Sequence, residues 1–221
     1  MKKMKRIISL TLIILLSFSL AAAAQQKEQA AEVSEAKANE EAVYINAEKL
    51  DYQEEKTLLS GGVRISKGDT IINALKGELF REEQRMILKE EIDVEYPDGK
   101  VTSDLLTAYL QEEEYEFEDN VTLNYQLSDG EMLLTSSYLN IFGDNNSFQA
   151  KENVEIDYDE QKFRGDQADY NGDTEMMELT GNVEIEEGQD WVKSDKATFN
   201  LAEGEEGYTA EGNVEIRMIL D

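Results

Sequence analysis

From Tyr44 to the C-terminal end the chain alternates apolar and polar residues in short runs. One five-residue word recurs. It is spelled Gly212-Asn213-Val214-Glu215-Ile216, Gly181-Asn182-Val183-Glu184-Ile185 and Glu152-Asn153-Val154-Glu155-Ile156. Looser copies are Asp119-Asn120-Val121-Thr122-Leu123, Glu90-Glu91-Ile92-Asp93-Val94 and Gly61-Gly62-Val63-Arg64-Ile65. The central apolar residues lie 29, 29, 33, 29 and 31 residues apart. A regular period of this size marks a repeat architecture. Within the word, apolar-polar-apolar alternation puts two side chains on one face of a strand.

A second motif is interleaved with the first: apolar, polar, small, then an aromatic five or six positions later. Ile45-Asn46-Ala47 leads to Tyr52, Ile72-Asn73-Ala74 to Phe80, and Val101-Thr102-Ser103 to Tyr109. Leu134-Thr135-Ser136 leads to Phe142, Phe163-Arg164-Gly165 to Tyr170, and Val192-Lys193-Ser194 to Phe199. Turn signals separate the runs at Lys67-Gly68-Asp69, Pro97-Asp98-Gly99, Ser128-Asp129-Gly130, Asp144-Asn145-Asn146, Asn171-Gly172-Asp173 and Glu187-Gly188-Gln189. Turns at that spacing predict antiparallel hairpins rather than βαβ units. The one proline, Pro97, sits in a turn and breaks no strand. Two to three strands per repeat predict roughly 14–18 strands in an all-β domain over residues 44–221.

One-faced alternation describes a sheet that is wet outside and apolar inside. The candidate interior is therefore Val63, Ile65, Ile72, Ile92, Val94, Val121, Leu123, Val154, Ile156, Val183, Ile185, Val214 and Ile216. The small residues Ala47, Ala74, Ser103, Ser136, Gly165 and Ser194 either let two sheets approach closely or leave room for something between them.

The N-terminus changes the setting. Lys2, Lys3, Lys5 and Arg6 precede an apolar stretch from Ile7 to Leu20, and Ala22-Ala23-Ala24 fits a cleavage site. Residues 1–24 thus read as an export signal, with an uncleaved anchor as the alternative. Residues 25–43 are rich in Ala, Glu and Gln and read as a tether too poor in apolar surface to fold alone.

Composition excludes more than it assigns. There are no cysteines, so an exported domain must be held by its core alone, and no lipid can be attached through a thiol. There are no histidines, which removes the commonest general base and metal ligand. With 21 basic and 49 acidic residues the net charge is −28, a surface that repels phosphate backbones, so nucleic acid is not an expected partner. No calcium-loop motif occurs, and neither a metal nor another cofactor is expected. Acid pairs such as Glu112-Glu113-Glu114 and Glu205-Glu206 fall in turns. One tryptophan, Trp191, offers little surface for stacking sugar in a glycosidase cleft, so no enzyme is expected. An adhesive β-repeat protein would carry polar residues on the inner face, where this chain has Val and Ile.

The words resemble those of the OstA-like family, the lipopolysaccharide-transport β-jellyroll proteins. Ser194-Asp195-Lys196-Ala197-Thr198-Phe199-Asn200 followed by Ala210-Glu211-Gly212-Asn213-Val214 is similar to the family pattern. Gly165-Asp166-Gln167-Ala168-Asp169-Tyr170-Asn171 followed by Leu179-Thr180-Gly181-Asn182-Val183 is nearly as close. The likeness weakens toward the N-terminal half, where Leu75 replaces the acid, and Ser137 replaces it further on. The resemblance implies a V-shaped, two-sheet jellyroll whose groove shelters the acyl chains of lipopolysaccharide in the periplasm. It also implies edge-to-edge joining to jellyroll proteins of the inner-membrane transporter and the outer-membrane translocon, and head-to-tail self-association. Tyr44, Ile45, Val214, Ile216 and Met218, on strands expected over Tyr44–Tyr52 and Asn213–Leu220, are the candidate edge residues. A soluble bridge and a membrane-tethered partner of that bridge both remain open.

Overall fold

The computed structural model describes residues 43–219, apart from 128, 129, 144 and 203–206. The export signal, nearly all of the tether, Glu205-Glu206 and Leu220 lie outside the described residues.

Among the described residues every regular element is a strand. They are β1 (Tyr44–Asn46), β2 (Lys49–Tyr52), β3 (Lys56–Lys67), β4 (Thr70–Phe80), β5 (Arg85–Tyr96), β6 (Gly99–Tyr109) and β7 (Glu114–Gln126). There follow β8 (Glu131–Phe142), β9 (Ser147–Tyr158), β10 (Gln161–Asn171), β11 (Met176–Glu187), β12 (Asp190–Asn200), β13 (Tyr208–Glu211) and β14 (Glu215–Arg217). All pair antiparallel in one 14-stranded sheet that runs as a simple meander from β3 to β12. At its start β1 and β2 both pair with β3, and at its end β13 and β14 both pair with β12. Each end is thus one long edge strand broken in the middle.

The break marks a corner that every long strand shares. On β3 the buried residues are Thr57, Leu59, Val63 and Ile65, and on β4 they are Ile72, Ala74, Gly77 and Leu79. The gap in the middle is four residues on β3 and three on β4. A strand's side chains alternate with period two, so the unequal gaps require one extra residue in the odd-numbered strand. The β3–β4 register shifts between Ser60 and Val63 accordingly. The same shift recurs in the later pairs, for example between Thr180 and Val183.

The residues at the corner are the first two of each word. Gly61-Gly62, Glu90-Glu91, Asp119-Asn120, Glu152-Asn153, Gly181-Asn182 and Gly212-Asn213 all have φ between 42° and 83°. Gly and Asn enter this left-handed region at low cost, which is why the word so often begins with them. The word therefore encodes a corner followed by a half-strand, not a strand alone.

Each strand contributes one half to each of two layers. The first layer holds the Val-x-Ile residues and ends in the turns near Gly68, Pro97 and Gly188. The second layer holds the opposite halves and ends near Glu82, Glu112 and Gly172. The two expected sheets are these two halves of one continuous ladder. They face each other, because Phe163 of the first layer and Phe199 of the second meet edge to face, with ring centroids 4.7 Å apart. The small residues of the second motif sit at the corner beside the words. Ala74 pairs with Val63, Ser103 with Ile92, Ser136 with Val121, Gly165 with Val154 and Ser194 with Val183. The serine hydroxyls donate to the carbonyl two residues on, at 2.9–3.0 Å. Close packing at the fold line accounts for them.

Candidate functional site

The interior is continuous from one end of the meander to the other. Val63, Ile65, Ile72, Ile92, Val94, Val121, Leu123, Val154, Ile156, Val183 and Ile185 are all buried and belong to one apolar core. Each buried aliphatic side chain contributes about 1.5–3 kcal/mol relative to exposure. The second layer supplies the facing wall, with Leu59, Leu88, Leu106, Phe117, Leu139 and Leu179 fully buried or nearly so. The sequence reading left out that wall. Its signal was present: Leu179 stands four residues before Val183, and Phe117 four before Val121, which is the spacing across the corner.

Val214 and Ile216 depart from the expectation of a buried lining. They are 45% and 58% exposed at the last edge of the sheet, where among the described residues β14 pairs with β12 alone. Ile216 still pairs with Val192, so it stands on the inner side at an open end. A cavity of about 250 Å³ opens there, lined by Ile185, Trp191, Val192, Tyr208, Ile216 and Met218 among others. Two further cavities of about 30 Å³ lie near the rim among the described residues. One is lined from both layers, by Ile72, Val94 and Val101 on one side and Leu106, Phe117 and Ile141 on the other.

The rim itself is tyrosine-rich. Tyr96, Tyr125 and Tyr170 surround the second small cavity together with Phe148. Phe148 and Tyr170 stack with centroids 5.1 Å apart. Burial, and then the neighbouring Tyr125 and Glu175, push the Tyr170 hydroxyl up to about 12. Burial also holds the Tyr96 hydroxyl well above its ordinary range. These rings stay neutral and close the space between the layers at the mouth.

The edges expose what the middle buries. Tyr44, Leu50 and Tyr52 at the first edge, and Tyr208, Val214, Ile216, Met218 and Ile219 at the last, are all exposed. Ile45 is half-buried. The strand expected over Asn213–Leu220 is shorter, since Gly212 and Asn213 form the corner and only Glu215–Arg217 is strand. Met218 therefore lies beyond the paired segment.

The outer faces carry the charge. Arg164 lies within ion-pair distance of Glu155, Glu184 and Glu186, and Lys56 and Lys89 both reach Glu78. The two lysine bonds hold the Glu78 carboxyl below its usual value. Among the described residues no group of three or more acidic side chains is assembled to hold a metal ion.

A single sheet folded along a line of repeated corners, apolar between its halves and open at both edges, defines a repeat-built β-jellyroll. Residues 100–205 match the family model described as "LptA/(LptD N-terminal domain) LPS transport protein". That stretch, a little under half of the chain, contains the best-preserved repeat words, and over it the chain is similar to the LptA-like proteins of the OstA-like family. No curated protein matches the chain. Among solved structures it is similar to LptH from Pseudomonas aeruginosa, titled the LptA homologous periplasmic component of the conserved lipopolysaccharide transport device. That likeness has 8% identity and a TM-score of 0.29, and covers 81% of this chain and 96% of that one.

Proposed function

We propose that this protein is a non-catalytic periplasmic component of lipopolysaccharide transport. Its interior shelters acyl chains, and its two edges extend the sheet into other jellyroll proteins. The observation that carries the reading is the continuous buried apolar interior, with most of the exposed large apolar residues standing at the two edges of the sheet. An acidic exterior does not attract an anionic headgroup, so affinity comes from apolar area. Acyl chains enter as the layers part along the tyrosine-lined mouth or from the open end beside Ile216.

The repeat register predicts how a second copy joins. In the chain Val183 faces Ser194, Ile185 faces Val192 and Thr180 faces Lys196. Continued past the last word, the same rule sets Val214 against Ala47, Ile216 against Ile45 and Glu211 against Lys49 of the next copy. Charge favours that direction. Residues 43–100 hold nine basic and thirteen acidic residues, and residues 101–221 hold six and thirty-one. Two C-terminal ends repel each other more than a C-terminal end repels an N-terminal one.

Two experiments test these readings. Lipid binding is measured on Ile185→Asp and, at the exposed open end where folding is not at stake, on Ile216→Asp. Loss of acyl-chain binding in both folded variants is expected, and unchanged affinity in both refutes the interior as the site. The chain has no cysteine of its own, so a Lys49→Cys, Glu211→Cys protein reports on the join by disulfide ladders. Proline at Glu215, which removes a ladder donor, should abolish them. Ladders that persist with the proline present overturn the edge register.

A further inference from the structure

The outer faces of the two layers place their charges differently. On the first layer opposite charges stand on adjacent strands, where Arg164 of β10 meets Glu155 of β9 and Glu186 of β11, and Lys193 of β12 meets Glu184. On the second layer they are held apart by β6. Lys89 and Glu118 flank Leu105 from β5 and β7, and Arg85 and Glu114 flank Tyr109 in the same way. Two strand spacings, about 10 Å, separate the members of each pair. The partners that Lys76, Arg85 and Lys89 do reach, Glu90, Glu83 and Glu78, stand on their own side of β6. Across it, Glu116 accepts from the neutral Tyr109 and Tyr138 hydroxyls at 3.2 and 2.9 Å, and Glu114 from the Asn140 amide.

This face is also apolar where strand alternation calls for polar residues. Phe80, Ile87, Leu105 and Tyr109 are half-buried and Phe142 is 38% exposed, and among the described residues no other element packs over them. One symmetry operation meets both needs. Let two copies pack outer face to outer face about a two-fold axis running along β6, so that β5 of each lies over β7 of the other and β4 over β8. Lys89 then meets Glu118, Arg85 meets Glu114 and Phe80 meets Phe142, while Leu105 and Tyr109 each meet their own counterparts. Lys76 falls on the Tyr138 ring, a cation over an aromatic face. A two-fold axis across the strands would set Arg85 on Lys89 and is repulsive. We propose that this chain forms a back-to-back dimer through the outer face of its second layer, self-complementary as a two-fold interface is.

The pairing is separate from edge joining. Both edges of each sheet stay free, and the two meanders run in opposite directions. The half-strands from β3 to β9 cover roughly 33 Å by 17 Å, about 550 Å² per copy. A total of about 1,100 Å² is near the lower limit for a specific interface, so the dimer is weak. Each chain's net charge of −28 opposes it. At about 0.15 M salt, charges more than about 8 Å apart are screened while pairs in contact persist.

Sedimentation velocity of the purified protein at that salt concentration, into the high micromolar range, tests the proposal. A dimer is expected. Lys89→Glu and Glu118→Lys each weaken it at least tenfold, which corresponds to about 1.4 kcal/mol, and the double exchange restores it. Glu215→Pro, at the sheet edge, leaves it unchanged. The chain has no cysteine, so Leu105→Cys treated with a short bis-maleimide gives a cross-linked dimer, and Thr122→Cys on the outer face of the first layer gives none. All these positions lie outside the apolar interior, so failure of lipid binding counts against the proposed function and not against this dimer. A protein that stays monomeric assigns the face to another partner or to none and overturns the proposal. So does a dimer that Glu215→Pro removes, one that the double exchange fails to restore, or equal cross-linking at Leu105→Cys and Thr122→Cys.

Discussion

The side-chain amide of Asn182 donates to the carboxylate of Asp166 at 2.9 Å, tying the corner of β11 to the neighbouring strand β10. The same bond joins Asn120 to Asp104 at 2.7 Å and Asn213 to Asp195 at 2.8 Å. The acid of the second motif thus clamps the asparagine of the next word. The acid also lies over the word's first residue, since a Cβ at Gly181 or Gly212 would collide with the Asp166 or Asp195 carboxylate. The fold line is built from these pairs.

Substitution at Asn182 separates backbone from clamp. Asn182→Gly keeps the left-handed backbone and loses the bond, so unfolding free energy should drop by about 1 kcal/mol. Asn182→Ala loses both, and the left-handed conformation adds about 1–2 kcal/mol. Denaturant midpoints at constant m-value measure the difference. Equal losses in the two variants would show that the corner carries no conformational preference.

At β4–β5 the clamp is missing, and it can be grafted. Leu75 stands where other repeats have the acid and is 38% exposed, while Glu91 holds a left-handed φ of 55°. Leu75→Asp with Glu91→Asn should stabilise the protein beyond the sum of the single changes, with a coupling of about 0.5–1.5 kcal/mol. A double-mutant cycle by chemical denaturation checks it, and additive singles would mean that the bond does not form.

Much of this fold is legible in the sequence because repetition states it several times over. The period, the buried Val-x-Ile residues, the glycine-containing turns and the antiparallel order all follow from local alternation. The corner is hidden for a physical reason. Glu90-Glu91 and Glu152-Asn153 take φ above zero without a glycine, and a word with one apolar face looks like a straight strand until its register is paired with a neighbour's. Turns without glycine are hidden likewise, as at Gln84 and Glu113, where φ is 48° and 55°. Whether the interior is open or filled depends on how the two layers meet, and no local pattern encodes that.

The contact of Phe163 with Phe199 reports directly on that meeting of layers. Both rings are 6% exposed, so Phe199→Ala should cost about 3–5 kcal/mol. Paired with Phe163→Leu, it should show a coupling of about 0.5–1.5 kcal/mol beyond area burial. Acyl chains that part the layers would separate these rings, so bound lipid should shrink the coupling. A coupling near zero without lipid would mean that the layers do not touch here in solution.

Acid stability follows from Glu155. Its carboxylate accepts from Lys162 at 2.8 Å and from Arg164 at 3.2 Å. These bonds, the Lys162 one first, hold its pKa below the ordinary 4.5. In the unfolded chain the pair is gone and the carboxyl titrates at its usual value. The pairing therefore contributes fully above that value, and its contribution is lost as pH falls through the lowered, folded one. Glu155 is 38% exposed, so solvent and salt screen the effect. Glu155→Gln should flatten the acid limb of stability against pH below that ordinary value, leave neutral-pH stability only slightly lower, and differ least from the parent at high ionic strength. Denaturant titrations across that acid range, at low and high salt, measure all three. An acid limb equally steep in the variant would place the responsible carboxylates elsewhere, with Glu78, paired to Lys56 and Lys89, the next to substitute.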